Sequence, residues 1–376
     1  MKLNTIFRSK FIATAFTLSG NIIGAGILGL PFVFSKSGFF IGILWLIILG
    51  MIMLYTFLCL GEVALRTKAK LQLLGYTEKY LGKSFKIILF FALLFGVYSA
   101  LLAYLIGEGQ SLSYLFTGST NYGVYFALGF WLIMTLLLRE GLRGLKKIST
   151  YGVLAVILIV FLISIFYFPE INYNNLNNVN LKDFFLPFGV VLFSLMGFNS
   201  IPELEMIIKG EEKKFKKAII LGVLIPILLY SLFSFIVVGA LGEKIPEIAT
   251  LGLGKLFSLL GVFTMFTVYF VLSFALKDVY KLDLKLSKKM SYVLVSVIPL
   301  LIYLVLHILN KLSFIAILGI GGVISGGITA ILILFMNKQS KKLGDRKPEY
   351  VMNIHWIIII IISLVFVFGM VREIVG

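Results

Sequence analysis

The sequence predicts an all-α integral membrane bundle, and three observations carry that prediction. Of 376 residues, 60% are hydrophobic and only 14% are charged, where an ordinary soluble domain carries about 25% charge. The apolar residues fall in eleven runs at 11–35, 39–65, 85–116, 122–138, 148–168, 183–208, 216–241, 253–276, 290–309, 312–336 and 354–372. Most approach the ~20 residues that a membrane span needs. Finally, the connecting segments are short, and 28 of the 34 lysines and arginines fall in alternate ones.

Charge placement sets orientation, because positive residues collect on the cytoplasmic side. The start of the chain (Lys2, Arg8, Lys10), the loop after span 2, and the segments REGLRGLKK, KGEEKKFKK, KDVYKLDLKLSKK and NKQSKKLGDRK form the rich side. Lys36, Lys182, Lys244, Lys255, Lys311 and Arg372 fall on the other. The N-terminus is expected in the cytoplasm and the C-terminus outside, in a cell membrane. The net charge of +17 lies in short loops, with no soluble basic domain, so a lipid bilayer and not nucleic acid is the expected surroundings. MKLNTIFRSKFIATAFTLSG begins like a signal peptide, but its apolar run continues to Phe34 and reads as a retained first span. Cys59 lies alone in an apolar run, and His307 and His355 lack ligand spacing, so neither a disulfide framework nor a metal centre is expected.

Span 1 contains GNIIGAGILGLPFVF, with Gly20, Gly24, Gly26, Gly29 and Pro31. Glycine costs a helix interior about 1 kcal/mol against alanine, and proline about 3. Span 6 has a second weak point in FSLMGFNSIPELE, Phe193 to Glu205. Gly24 and Gly197 stand 173 residues and five spans apart. Five is odd, so the second unit starts from the opposite membrane face. Two five-helix units of inverted topology, about 11–168 and 183–336, plus an eleventh helix at about 354–372, account for every span.

At these residues the chain resembles a known group. TLSGNIIGAGILGLPFVFSKSGFFIG, with YTFLCLGEVALRT after it, is similar to the start of the amino acid/auxin permease family. That family includes sodium-coupled neutral amino acid transporters, and tryptophan/tyrosine permeases are close relatives. LLAYLIGEGQSL in span 3 and FGVVLFSLMGFNSIPEL in span 6 resemble the same group. The resemblance implies the LeuT-type fold of the amino acid–polyamine–organocation superfamily, with alternating access.

A helix broken at mid-membrane frees N–H groups on one half and C=O groups on the other. The N–H end suits a carboxylate, and the C=O end suits an ammonium or a sodium ion. An amino acid zwitterion offers both charges. The N–H groups of Gly24, Ala25 and Gly26 are assigned to the carboxylate. The carbonyls of Asn21, Ile22, Phe193, Ser194 and Met196 are assigned to the ammonium, with Phe198 and Asn199 facing the substrate side chain. Gly20-xxx-Gly24 also reads as a close helix-packing motif, which would leave Gly26, Gly29, Pro31 and the second break unexplained.

Coupling has two candidates. Likeness to sodium-coupled relatives points to carbonyls of Gly20 and Ile23 with the hydroxyls of Thr264 and Thr267, since hard oxygen ligands suit sodium. Relatives often present adjacent hydroxyls there, whereas Met265 follows Thr264 here. Glu108, a carboxylate within the apolar span 3, is the proton candidate. It stands where such relatives have glycine, and it also reads as a passive vestibule carboxylate. Glu203 and Glu205 follow the second break as caps or path-lining groups, and Glu62 reads as a structural partner of Arg66 four residues on.

The sequence thus points to a secondary transporter for a neutral, large apolar or aromatic amino acid, driven by Na⁺ or H⁺ and needing no cofactor. The apolar preference rests on Met196, Phe198 and Ile201. A G-x-x-x-x-G-K nucleotide motif is missing, which argues against an ATP-driven pump. A receptor or channel on the same scaffold is the alternative. A membrane enzyme would need clustered His, Asp or Glu at depth, and the carboxylates here are isolated.

Overall fold

The computed structural model describes residues 9–140 and 148–375. Lys2, Arg8, Arg143, Lys146 and Lys147 of the charge pattern lie outside them. Every regular element among the described residues is helical. Among these residues, eight helices are long and apolar enough to cross a membrane, and a bent pair makes nine. Two shorter apolar helices, Gly123–Arg139 and Val156–Glu170, lie where the fourth and fifth spans were expected.

The bent pair is span 1. Helices α1 (Lys10–Ile22) and α2 (Gly26–Ser37) meet at 60°. Gly38 alone then turns the chain into α3 (Phe39–Arg66) with φ of 104°, a conformation that favours glycine. Next come α4 (Leu73–Leu81), α5 (Lys83–Thr117), α6 (Gly123–Glu140) and α7 (Ile148–Tyr167). Span 6 is α8 (Leu186–Ser194) and α9 (Ile201–Ile207), interrupted between them. The rest are α10 (Phe215–Leu241), the one-turn α11 (Ala249–Gly252), α12 (Lys255–Asp278), α13 (Lys288–Ile308), α14 (Phe314–Gly321), α15 (Gly327–Leu343) and α16 (Trp356–Val375).

Two of these features were not expected from the sequence. Helix α4 lies between spans 2 and 3 and is too short to cross a membrane. It buries Leu73, Tyr76, Thr77 and Tyr80, at i, i+3, i+4 and i+7, one face of a helix. Span 10, a single apolar run at 312–336, carries a π turn at Gly322–Gly326 between α14 and α15.

Lipid-facing and core-facing surfaces are both apolar here, so hydrophobicity does not separate them. Helix α3 exposes Phe40, Leu44, Ile47 and Met51, while Leu46, Leu49, Met53 and Phe57 are buried on its other side. The α14–α15 span is the most enclosed, with 78% of its apolar window buried, and α16 the least, with 22%. Span 10 is therefore central and span 11 peripheral. Small residues allow the close approaches: a Cβ on Gly189 would stand 2.7 Å from the Gly319 Cα.

One end of the bundle is strapped. Residues 344–355, between α15 and α16, run along the end of α3. The Arg66 carbonyl accepts from the Asp345 N–H at 2.8 Å. Tyr350 Oη donates to the Leu58 carbonyl at 2.8 Å, and Tyr55 Oη to that of Asn353 at 2.7 Å. Asp345 pairs with Lys79 of α4. Beneath the strap lies Glu62, fully buried. Its carboxylate takes Arg66 at 2.8 Å, as the spacing predicts, together with Asn337 Nδ2 at 3.0 Å and the Met352 N–H at 2.8 Å.

Candidate substrate site

The two breaks meet. At the end of α1 the helical ladder stops with the Ile23 N–H on the Ser19 carbonyl at 2.9 Å. The Ala25 N–H leaves it and donates to Tyr104 Oη of α5 at 3.3 Å. The Ile27 and Leu28 N–H groups fold back onto the Gly24 and Ala25 carbonyls. Among the described residues, the N–H groups of Gly24 and Gly26 and the carbonyls of Gly20, Asn21 and Ile23 have no hydrogen-bond partner.

In span 6 the Met196 N–H returns to the Phe193 carbonyl at 3.1 Å, and Gly197 then leaves the helix. Ser200 closes the turn by donating N–H and Oγ to the Gly197 carbonyl. The break faces span 1 at short range. A Cβ on Gly26 would lie 2.5 Å from Ser194 Cβ, and one on Gly197 would lie 2.8 Å from Ile22 Cγ1. Gly26 thus lets α2 approach α8.

One side chain reaches both breaks. Tyr230 of α10 is fully buried, and its hydroxyl lies 3.0 Å from the Ile22 carbonyl and 2.9 Å from the Ser194 carbonyl. These are two of the carbonyls assigned to the ammonium. The same helix is tied to α1 again about two turns nearer its start. Pro226 has no N–H, so the Gly222 carbonyl loses its helical donor, and Ser19 Oγ donates to it at 3.0 Å.

Residues 8–252, well over half the chain, match the tryptophan/tyrosine permease family. The chain belongs to that family. The permease is 25% identical to Glutamine transporter 2 of Aliivibrio fischeri over 314 residues, 78% of this chain and 80% of the relative. It is 28% identical to Tyrosine-specific transport system 1 of Haemophilus influenzae over 243 residues, covering 63% of this chain and 59% of that protein. Tyrosine-specific transport system 2 of the same organism is 27% identical over 252 residues, 64% and 60% of the two chains. The permease is a transporter, not an enzyme.

The remaining predicted residues fall in different places. Phe198 is buried and packs on Phe57 of α3, ring centroids 4.9 Å apart. Asn21 and Asn199 are exposed, and Phe193 and Met196 half-buried. Thr264 donates its hydroxyl to the Gly261 carbonyl at 2.8 Å and Thr267 to that of Phe263 at 2.6 Å. Both protons stay on their own helix, and no hydrogen bond joins them to span 1. Glu203 is exposed and Glu205 half-buried. Glu108 lies fully buried on α5, one turn beyond Tyr104, and faces α6 and α12.

Sequence reasoning missed Tyr230, Tyr104 and the π turn. The permease has 17 tyrosines; Tyr230 stands in no motif, and Tyr104, though inside LLAYLIGEGQSL, carries no sequence mark of what it reaches. The π turn had a signal in GIGGVISGG, Gly319 to Gly327. Gly322 and Gly326 sit against Phe193 and Met196, and Ser325 and Thr329 beside them hold buried hydroxyls without a partner. Such turns recur at functional sites.

Proposed function

We propose that this permease carries a neutral, large apolar or aromatic amino acid by alternating access, coupled to Na⁺ or H⁺. The observation that carries the reading is the Tyr230 hydroxyl, set between the Ile22 and Ser194 carbonyls at 3.0 and 2.9 Å. Two interrupted spans that share one donor offer released carbonyls and released N–H groups in one place. The Gly24 and Gly26 N–H groups, and that of Ala25 on release from Tyr104, bind the substrate carboxylate. The carbonyls of Asn21, Ile22, Phe193, Ser194 and Met196 bind its ammonium, and Phe198 and Asn199 shape the side-chain pocket. The tyrosine and glutamine transport named for the relatives supports the amino acid class. Sodium would use the Gly20 and Ile23 carbonyls with Thr264 and Thr267, and a proton would use Glu108.

The frame is a LeuT-type pair of inverted five-helix units with an eleventh helix. Breaks in the first and sixth spans support it. The charge asymmetry of the loops supports a cytoplasmic N-terminus and an external C-terminus in the cell membrane.

The test is uptake into proteoliposomes, with labelled tyrosine, tryptophan and glutamine under imposed Na⁺ or pH gradients. Gradient-driven accumulation of one of them is expected. Gly26→Val, whose side chain would strike Ser194, should lose binding while remaining folded. Binding without accumulation under any gradient would mark a receptor, and wild-type affinity in Gly26→Val would end the clamp assignment.

A further inference from the structure

A cavity of about 330 Å³ lies between α5, α6 and α12. Its walls are largely aromatic, with Phe116, Phe126, Phe130 and Phe266 among them. Glu108 lines the same cavity. The side chain is fully buried, and neither carboxylate oxygen has a hydrogen-bond partner. No lining residue comes from the two breaks or from α10, so the cavity is separate from the candidate substrate site. Phe116 at its rim is 74% exposed, and Tyr125 and Ile133 are exposed with it. All three stand on the apolar outer surface of α5 and α6, so the cavity opens at the side of the bundle, where lipid is expected.

The chemistry of the lining selects a ligand class. A buried carboxylate without a partner is costly, and a cation placed beside it relieves that cost. Among the described residues, no lysine, arginine or histidine lines the cavity. Ring faces carry partial negative charge and attract an ammonium further, while the ring edges and Ile133 accept hydrocarbon. The volume falls in the range of small-molecule pockets. A zwitterionic amino acid is a poor match, because its carboxylate would stand near Glu108 at low dielectric, where like charges repel strongly. A cation with an apolar body and no anionic group satisfies every wall.

We propose that this cavity is a second binding site, for a lipophilic amine that enters from the membrane, with Glu108 as its counter-ion. The occupant is a free arylalkylamine. Glu108 lies nine residues before the end of α5, about 14 Å along the helix at 1.5 Å per residue, below the Phe116–Phe126 stack at 5.7 Å. An aminophospholipid headgroup would have to be drawn past those rings.

The probe is 2-phenylethylamine, titrated calorimetrically into the purified full-length permease in phosphatidylcholine nanodiscs. Saturable binding is expected, at least tenfold tighter than that of 2-phenylethanol, which has the same shape without the charge. Glu108→Gln should weaken amine binding tenfold or more and Glu108→Asp should retain it. Phe130→Ala should weaken it with the carboxylate intact, and keeps the test available should Glu108→Gln not fold. Equal binding of amine and alcohol would show a plain apolar groove and overturn the proposal. So would unchanged affinity in Glu108→Gln or Phe130→Ala, displacement by transported amino acid, or loss of amine binding when phosphatidylethanolamine is added to the disc.

Discussion

The Tyr230 hydroxyl has one proton and two carbonyls within reach, 3.0 and 2.9 Å away. It can satisfy one at a time, and the other keeps a lone pair for a cation. A buried carbonyl stripped of its donor costs about 1–3 kcal/mol. Tyr230→Phe removes the donor and keeps the ring, so amino acid affinity should fall by about tenfold (~1.4 kcal/mol) in equilibrium binding to purified protein. Wild-type affinity would separate Tyr230 from the substrate site. Glu62 and Glu108 make a contrast at the same scale. Both are fully buried carboxylates, yet Glu62 holds Arg66, Asn337 and the Met352 N–H, while Glu108 holds nothing. The i, i+4 spacing made Glu62–Arg66 legible in sequence. Asn337 and Met352 were not legible, because each lies more than 270 positions away.

Among the elements, the strap at 344–355 and the two broken spans are the parts whose integrity can be measured. Breaking a buried ion pair by removing one partner costs about 3–5 kcal/mol. Arg66→Ala leaves the Glu62 carboxylate uncompensated, and should lower the thermal midpoint and speed amide exchange in the strap. No change in either would show that Asn337 and Met352 suffice. The strap should also respond to acid. The Lys79 hydrogen bond, and after it the Lys68 N–H, hold the Asp345 carboxyl below the usual aspartate range. A carboxylate depressed in the folded state stabilises above its unfolded value of about 3.9 and loses that contribution as pH falls through its folded value. Intrinsic-rate-corrected exchange at 345–352 should therefore rise below about pH 4 and stay flat from pH 5 to 7. Asp345→Asn should abolish the step. The breaks themselves were legible, because Gly20, Gly24, Gly26 and Pro31, then Gly197, Asn199 and Pro202, interrupt otherwise apolar helices. The strap and α4 were not, since a short polar segment carries no record of what it lies on.

For the whole molecule, orientation is the property that charge predicts most sharply. Cys59 is buried, so a single introduced cysteine reports alone. Asn177→Cys, in the exposed segment before span 6, should react with a membrane-impermeant maleimide in intact cells. Lys213→Cys, in the exposed segment before α10, should react only after permeabilisation. The reverse pattern would invert the topology.

Composition and the order of residues are enough to show that this chain is helical and embedded in a membrane, and where its first and sixth spans fail. Backbone in lipid must bond within its own segment, so a run of glycine, asparagine and proline there leaves a visible mark. What meets the released groups is set by packing between distant segments. Tyr104 reaches Ala25 across 79 positions, and Tyr230 reaches Ile22 across 208. Packing also sets which apolar faces are core and which face lipid, a distinction composition does not encode because both surroundings are apolar. By the same packing, Glu62 is paired beneath the strap and Glu108 stands unpaired among rings.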